Sequence, residues 1–434
     1  MNALRFVGRL VRRGLRWGFL LGLMLTLLQY SAVPLGLPWY AVAALAQDYQ
    51  FDYVTWELGA LAVKVEQTLY GQHPFMTESA RSGFVRGYMD DLRRARELEA
   101  QISAIYADPE VPDPQAASAA LRAERDALRA GLGERQPLAE AILEGQVAAV
   151  LVEQGFALAG QILPPVSAHF TRVPNLLVVS PRDQIRFDIS INLDPMTVDE
   201  IAALETLIDE REAVSSLIVP LGGIALYPAM VLETASIPWA LETIAHEWLH
   251  HYLFAFPLGL AYFAGESFAG ETRIINETTA SLFGREVSRL ALARYYPDLL
   301  PPEAAAPPAS REAAESTPDA PPVFDFGAEM DRTRRTVDDL LAAGKVDEAE
   351  VYMAERRALF VANGYNIRKL NQAYFAFYGG YQSGAPGAGG QDPIGPAVQA
   401  LRDASPSLHD WVVTMRGITS REALLAERDR LAGP

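Results

Sequence analysis

The chain has 434 residues, half of them hydrophobic and 21% charged, with a net charge of −17. That balance excludes global disorder, and an acidic surface repels phosphate, which argues against a nucleic-acid partner. The first 47 residues carry five Arg (Arg5, Arg9, Arg12, Arg13, Arg16) and no acid, so removing their +5 from −17 leaves −22 on the rest. Cysteine is absent, which excludes disulfides, thiol nucleophiles and thiolate metal sites and leaves His, Asp and Glu as the strong metal ligands.

In chain order, residues 1–16 form a basic tail, and 17–46 contain no charged side chain. The densest part, 17–37, suits a membrane anchor, because about 20 helical residues cross a hydrocarbon core of about 30 Å. The five Arg keep the tail cytoplasmic by the positive-inside rule, which predicts a single-pass cell-membrane protein with its acidic bulk outside the cytoplasm. A cleaved signal peptide is the competing reading. Ala44-Leu45-Ala46 before Gln47 fits its cleavage pattern, although the apolar stretch is about twice as long as a signal core. Arg12-Arg13 is a weak match to a twin-Arg export signal.

Residues 48–165 read as a helical stalk or domain, since LRRARELEAQISAIY and ALRAERDALRAG alternate charged and apolar positions every three or four residues. Pro109, Pro112 and Pro114 break the pattern once. Between 166 and 300 the pattern changes. NLLVVS and IRFDISINL read as strands, with Phe187, Ile189, Ile191 and Leu193 alternating with polar partners. Thr197 and Glu200 form a capping box that opens a helix through Ile208. SSLIVPLGGIALYPAMVLE is a third extended stretch, whose Gly222-Gly223 admits another backbone. Ser236 and Pro238 open a helix that continues through His246 to about 254, and a second helix covers 272 to about 295. Residues 301–323, rich in Pro, Ala and acids, read as a disordered linker; 324–434 return to helical periods, with Gly344 as a turn. The expected fold class is α+β, mostly helical, with a small sheet.

Three of the six His fall in 246–251, two of them in the string His246-Glu247-Trp248-Leu249-His250 and the third, His251, directly after it. Positions i and i+4 share a helix face, so His246 and His250 can offer two nitrogens to one ion, while Glu247, about 100° further round, reaches its water without binding it. This is an HExxH arrangement. His251 points elsewhere on the wheel, and His73, His169 and His409 lack ligand spacing. A catalytic zinc takes three protein ligands and keeps one open position. Glu277 is the first choice for the third, because it lies in a helical segment able to pack antiparallel to the first; Glu266 and Glu271, in Gly-flanked loop text, are the reserves.

The HExxH string resembles the gluzincin metallopeptidases. Two further stretches are similar to the bacterial family of predicted zinc aminopeptidases: NETTASLFGRE at 276–286 and LNQAYFAFYGGY at 370–381. The resemblance implies a zincin-like catalytic domain, a Zn2+ ion held by His246, His250 and Glu277, Glu247 as general base, and an active-site neighbourhood near Asn371 and Tyr381. It departs from the family at Gln372, where a second Asn is usual, and in the longer gap between His250 and Glu277. That gap, HYLFAFPLGLAYFAGESFAG, reads as an apolar flap over the cleft.

The implied activity is hydrolysis of a peptide or protein substrate, with aminopeptidase action as the narrower form. Tyr381 is the candidate donor to the oxyanion, with Tyr374 and Tyr378 behind it. Residues 217–231 are the candidate edge strand for a peptide backbone, and Glu233 and Glu242 the carboxylates to weigh for a substrate amino terminus. The rival from another class is a catalytically idle zincin-like binding or scaffold protein at the cell surface. An intact Glu247 argues against it. An intramembrane protease with 248–263 as a span is disfavoured by Glu242, Glu247 and the two further His.

Overall fold

The computed structural model describes residues 2–27, 37–70, 73–264, 270–300, 324–383 and 387–432. Met1–Gln47 is a compact unit of its own, carrying α1 (Asn2–Leu27) and α2 (Pro38–Leu45). Residues 28–36 of the expected anchor lie outside the described residues, as does the linker at 301–323. Among the described residues no helix is long and apolar enough to cross a membrane. The uncharged run contributes only its first part, 17–27, to α1, whose preceding turns carry the five Arg.

Asp48–Pro434 forms the second unit. It begins with α3 (Tyr53–Tyr70), α4 (Glu78–Ala107), the single turn α5 (Pro114–Ala117) and α6 (Ala119–Glu153). Val85, Tyr88, Met89, Leu92 and Ala95 of α4 recur every three or four residues, and they are buried with Ala139, Ile142, Leu143, Val147 and Val150 of α6. The break falls at the prolines, where Asp113 caps α5 by accepting from the Ala116 N–H.

The hairpin of β1 (Ala157–Leu158) and β2 (Gln161–Ile162) turns on Ala159 and Gly160, both at positive φ. Next come β3 (Ala168–Thr171), β4 (Asn175–Ser180), β5 (Ile189–Leu193), α7 (Val198–Glu212), β6 (Ser215–Pro220), β7 (Gly223–Ile224) and β8 (Ala229–Leu232). Two three-stranded sheets result: β5-β4-β6, all antiparallel, and β3-β8-β7, with β3 parallel to β8. Ile189, Ile191 and Leu193 alternate inward as the sequence predicts, and the Thr197–Glu200 capping box is formed in both directions. The single extended stretch expected at 217–231 is instead divided between the two sheets. Pro220, which lacks an N–H, ends β6, and the chain crosses over through Gly222 to begin β7.

The remaining helices are α8 (Ile237–Leu253), α9 (Pro257–Ala264), α10 (Glu271–Tyr295), α11 (Phe326–Ala342), α12 (Val346–Ala362), α13 (Gln372–Tyr378), α14 (Ile394–Ala404), α15 (Leu408–Met415) and α16 (Arg421–Ala432). Gly344, at φ +72°, makes the turn between α11 and α12. The overall class is mostly helical with small sheets. One aromatic cluster joins the N-terminal helices to the rest: Phe156 meets Trp248 edge-on at 5.6 Å and Phe283 at 5.5 Å. That core holds α8 and α10 in place from behind.

Candidate metal centre

α8 starts where its sequence says it should, because Ser236 accepts from the Trp239 N–H and Pro238 supplies a preset first-turn φ. Its rear face is fixed by the fully buried Trp248, whose indole N–H donates to the Pro164 carbonyl at 2.8 Å. α10 runs antiparallel to it, since Gly284 lies against Glu242 and His246 while Glu277 lies against His246 and His250. Gly284 permits the approach: a Cβ there would stand 2.7 Å from the Glu242 carbonyl oxygen and 3.2 Å from the His246 Cβ.

These two helices bring His246, His250 and Glu277 together, each offering one ligand atom within 4.8 Å of the others. The two Nε2 atoms are 3.1 Å apart, and the Glu277 Oε2 stands 3.5 Å from His246 and 3.8 Å from His250. Ligands bound at about 2.0–2.1 Å in a tetrahedron are separated by about 3.3–3.4 Å. The donor set, two imidazoles and one carboxylate, and its spacing both fit a zinc ion. The other Glu277 oxygen, Oε1, accepts from the Tyr262 hydroxyl at 2.7 Å, and the Tyr262 ring stacks on His250 at 5.4 Å. Tyr262 therefore fixes two members of the candidate ligand cluster at once.

Electrostatics separate the roles. Burial pulls His250 down to about 4, so it is neutral at pH 7 and free to donate its lone pair. Burial, the largest single influence, would also lower His246, but its hydrogen bond with Glu277 and the charges of Glu247, Glu277 and Glu242 together overcome that and raise it. Glu277 is held far below the usual carboxylate range: burial opposes this, and the hydrogen bond with His246, both imidazoles and Arg273 overcome it. Burial pushes Glu247 the other way, up to about 7, with His246 lowering it and Glu277 raising it further. A carboxyl poised there suits proton exchange near neutrality.

A cavity of about 200 Å³ opens onto these groups. His246, Glu247, His250, Glu277, Arg273 and Tyr381 all line it, and the outer strand β7 borders it with Gly223 and Ile224. A side chain at 223 would collide with the Glu247 carboxylate, its Cβ falling 2.9 Å from the Glu247 Cδ. Tyr262 and Phe263 of α9 line it too, so the segment after His250 borders the cleft with aromatic residues. Tyr381 is partly exposed as a residue, but its hydroxyl is enclosed, and burial pushes it well above its ordinary range, keeping it a donor.

Other expectations are redirected. Glu271 accepts from the Arg421 N–H at 2.9 Å at the start of α10, and Glu266 lies outside the described residues. Asn371 is not in the cavity lining: it caps α13 by accepting from the Tyr374 N–H and donates to the Ser216 carbonyl at 2.8 Å, pinning α13 to β6. Tyr374 packs against Tyr378 at 4.5 Å, and neither lines the cavity. Glu233 is bound by Arg129 at 2.8 Å, and Glu242, one turn before His246, is also outside the lining. His251 turns away, donating to the Leu226 carbonyl at 2.6 Å. Reading the sequence missed Tyr262 and Arg273; the second stands four residues before Glu277, a same-face spacing that would have found it.

Compared with protein-family models, curated proteins and solved structures, the chain finds no match.

Proposed function

We propose that the chain is a zinc-dependent hydrolase acting on peptide bonds. The observation that carries this reading is the convergence of His246, His250 and Glu277 on one point beside Glu247 in one cavity. Bound there, zinc supplies Lewis acidity toward a carbonyl oxygen and toward water. Glu247 takes the proton of the attacking water on its carboxylate and delivers it to the leaving nitrogen. The Tyr381 hydroxyl donates to the oxygen on which negative charge develops. The outer strand β7, glycine-bearing and bordering the cavity, suits an extended peptide backbone. Peptide as the substrate class also rests on the gluzincin resemblance. The uncharged run at 17–46 and the five Arg before it support a tether at the cell membrane, with the site outside the cytoplasm.

The test is hydrolysis of a mixed peptide library by the purified full chain, with and without a chelator. Glu247→Gln is expected to keep one zinc per chain and to lose about 10²–10⁴-fold in rate. Full activity in that variant would remove the mechanism, and zinc binding without hydrolysis in the wild type would favour the idle scaffold.

A further inference from the structure

Arg273 is only 4% exposed, yet it lines the cavity beside the metal ligands. Guanidinium stays protonated in proteins, and a buried charge is costly unless it is paired. The other well-anchored arginines follow that rule: Arg368 is paired with Glu205, Arg356 with Glu329 and Arg402 with Glu286, although their side chains are more exposed. Among the described residues no carboxylate forms an ion pair with Arg273. Instead its guanidinium lies 4.2 Å over the Phe187 ring and 5.4 Å over Tyr381. Glu277 feels its charge but has both oxygens committed, one to Tyr262 and one to the histidines.

The surroundings reserve room for this group. Any side chain at Gly380 would collide with the Arg273 Nη1. The carboxylates that line the cavity among the described residues are Glu247 and Glu277, the base and a ligand, so none is left for a substrate ammonium. The unpaired charge in the cavity is positive. Arg273 precedes Glu277 by one helical turn, with Cβ atoms about 5–6 Å apart. An anion bound to it therefore lies within about one residue of the bond presented to the metal ligands.

We propose that Arg273 is the carboxylate-recognition residue of this cavity, so that the substrate carries a carboxylate next to the bond that is cleaved. The proposal rests on the hydrolase reading above. The carboxylate has two sources, a free C-terminus or an Asp or Glu side chain, and a cavity of about 200 Å³ holds either one.

The experiment uses three matched short peptides: free C-terminal acid, C-terminal amide, and amide with an acidic side chain at the neighbouring position. Hydrolysis is measured with the zinc-loaded full chain, Arg273→Met and Arg273→Lys; binding of the same peptides is measured in the Glu247→Gln background. Arg273→Met is expected to lose about 10- to 100-fold in kcat/KM and in affinity for the carboxylate-bearing peptides, to change little toward the amide, and to be partly rescued by Arg273→Lys. Which acidic peptide responds identifies the source of the carboxylate. Equal loss on all three peptides, at unchanged zinc content, would assign Arg273 to packing and overturn the proposal while leaving the hydrolase intact. Absence of hydrolysis by the wild type would overturn the hydrolase reading instead. The binding arm then decides alone, and equal affinity for acid and amide would overturn the role of Arg273.

Discussion

Among the described residues, histidine and glutamate are buried together between α3, α6 and β3 and again between α8 and α10. In the first, Glu140 accepts from the Phe170 N–H and Gln136 at 2.7 Å each and from Lys64 at 2.7 Å, with His169 at 3.0 Å. Glu144 beside it accepts from the Ala168 N–H at 2.7 Å and from Lys64 at 2.8 Å. Each carboxylate there has a donor and a cation. In the second group the ligand atoms of His246, His250 and Glu277 face one another with no lysine or arginine among them. The same residue types thus make a closed joint in one place and, in the other, a cluster whose facing ligand atoms could hold a metal ion. The difference is whether a cationic side chain fills the centre.

Filling or emptying those centres is the way to break the comparison. The largest effect is expected from Lys64→Met, which leaves Glu140 and Glu144 buried together without their cation. A loss of about 3–5 kcal/mol in denaturant unfolding is expected, with zinc content unchanged. Loss of zinc in that variant would mean that the two groups are not independent.

A smaller effect sharpens the open site. Tyr262→Phe removes the hydroxyl that holds Glu277 and is expected to weaken zinc binding by about 10- to 100-fold in a competition titration, with little change in unfolding. Unaltered affinity would show that α9 does not orient the ligand.

The smallest effect is a pH dependence in the closed joint. Burial would raise Glu140, but Lys64 and His169 outweigh it and hold the carboxyl below its ordinary 4.5. The unfolded chain therefore binds this proton more tightly, so the stabilisation is complete above about pH 4.5 and is lost as the pH falls through the folded value. Glu140→Gln is accordingly expected to differ from wild type most at neutral pH and progressively less below 4.5, as measured by unfolding across that range. A difference that grows on acidification would reverse the assignment.

What the sequence made legible is local. α8 carries its own cap, its proline and an i, i+4 histidine pair, and α10 is long enough for its sequence alone to place Glu277 on a helix. The strand alternation at 189–193 and the Thr197–Glu200 box are equally short-range. What stayed hidden depends on contacts between distant segments. The partition of 217–231 into two sheets follows from the pairing of β6 with β4 and of β8 with β3. Tyr262 and Gly223 matter only because of what α10 and α8 place against them. Asn371 shows the converse: a residue in a family-like string serves as a helix cap, because a local match specifies types and the packing specifies tasks.

The central claim is that the centre between α8 and α10 belongs to a metal. Elemental analysis of the purified full chain and of Glu277→Ala, after equilibration with zinc and removal of the excess, tests it directly. About one zinc per wild-type chain and little or none in the variant is the result expected. A wild-type chain that retains no metal, or a Glu277→Ala chain that retains it fully, would contradict the account.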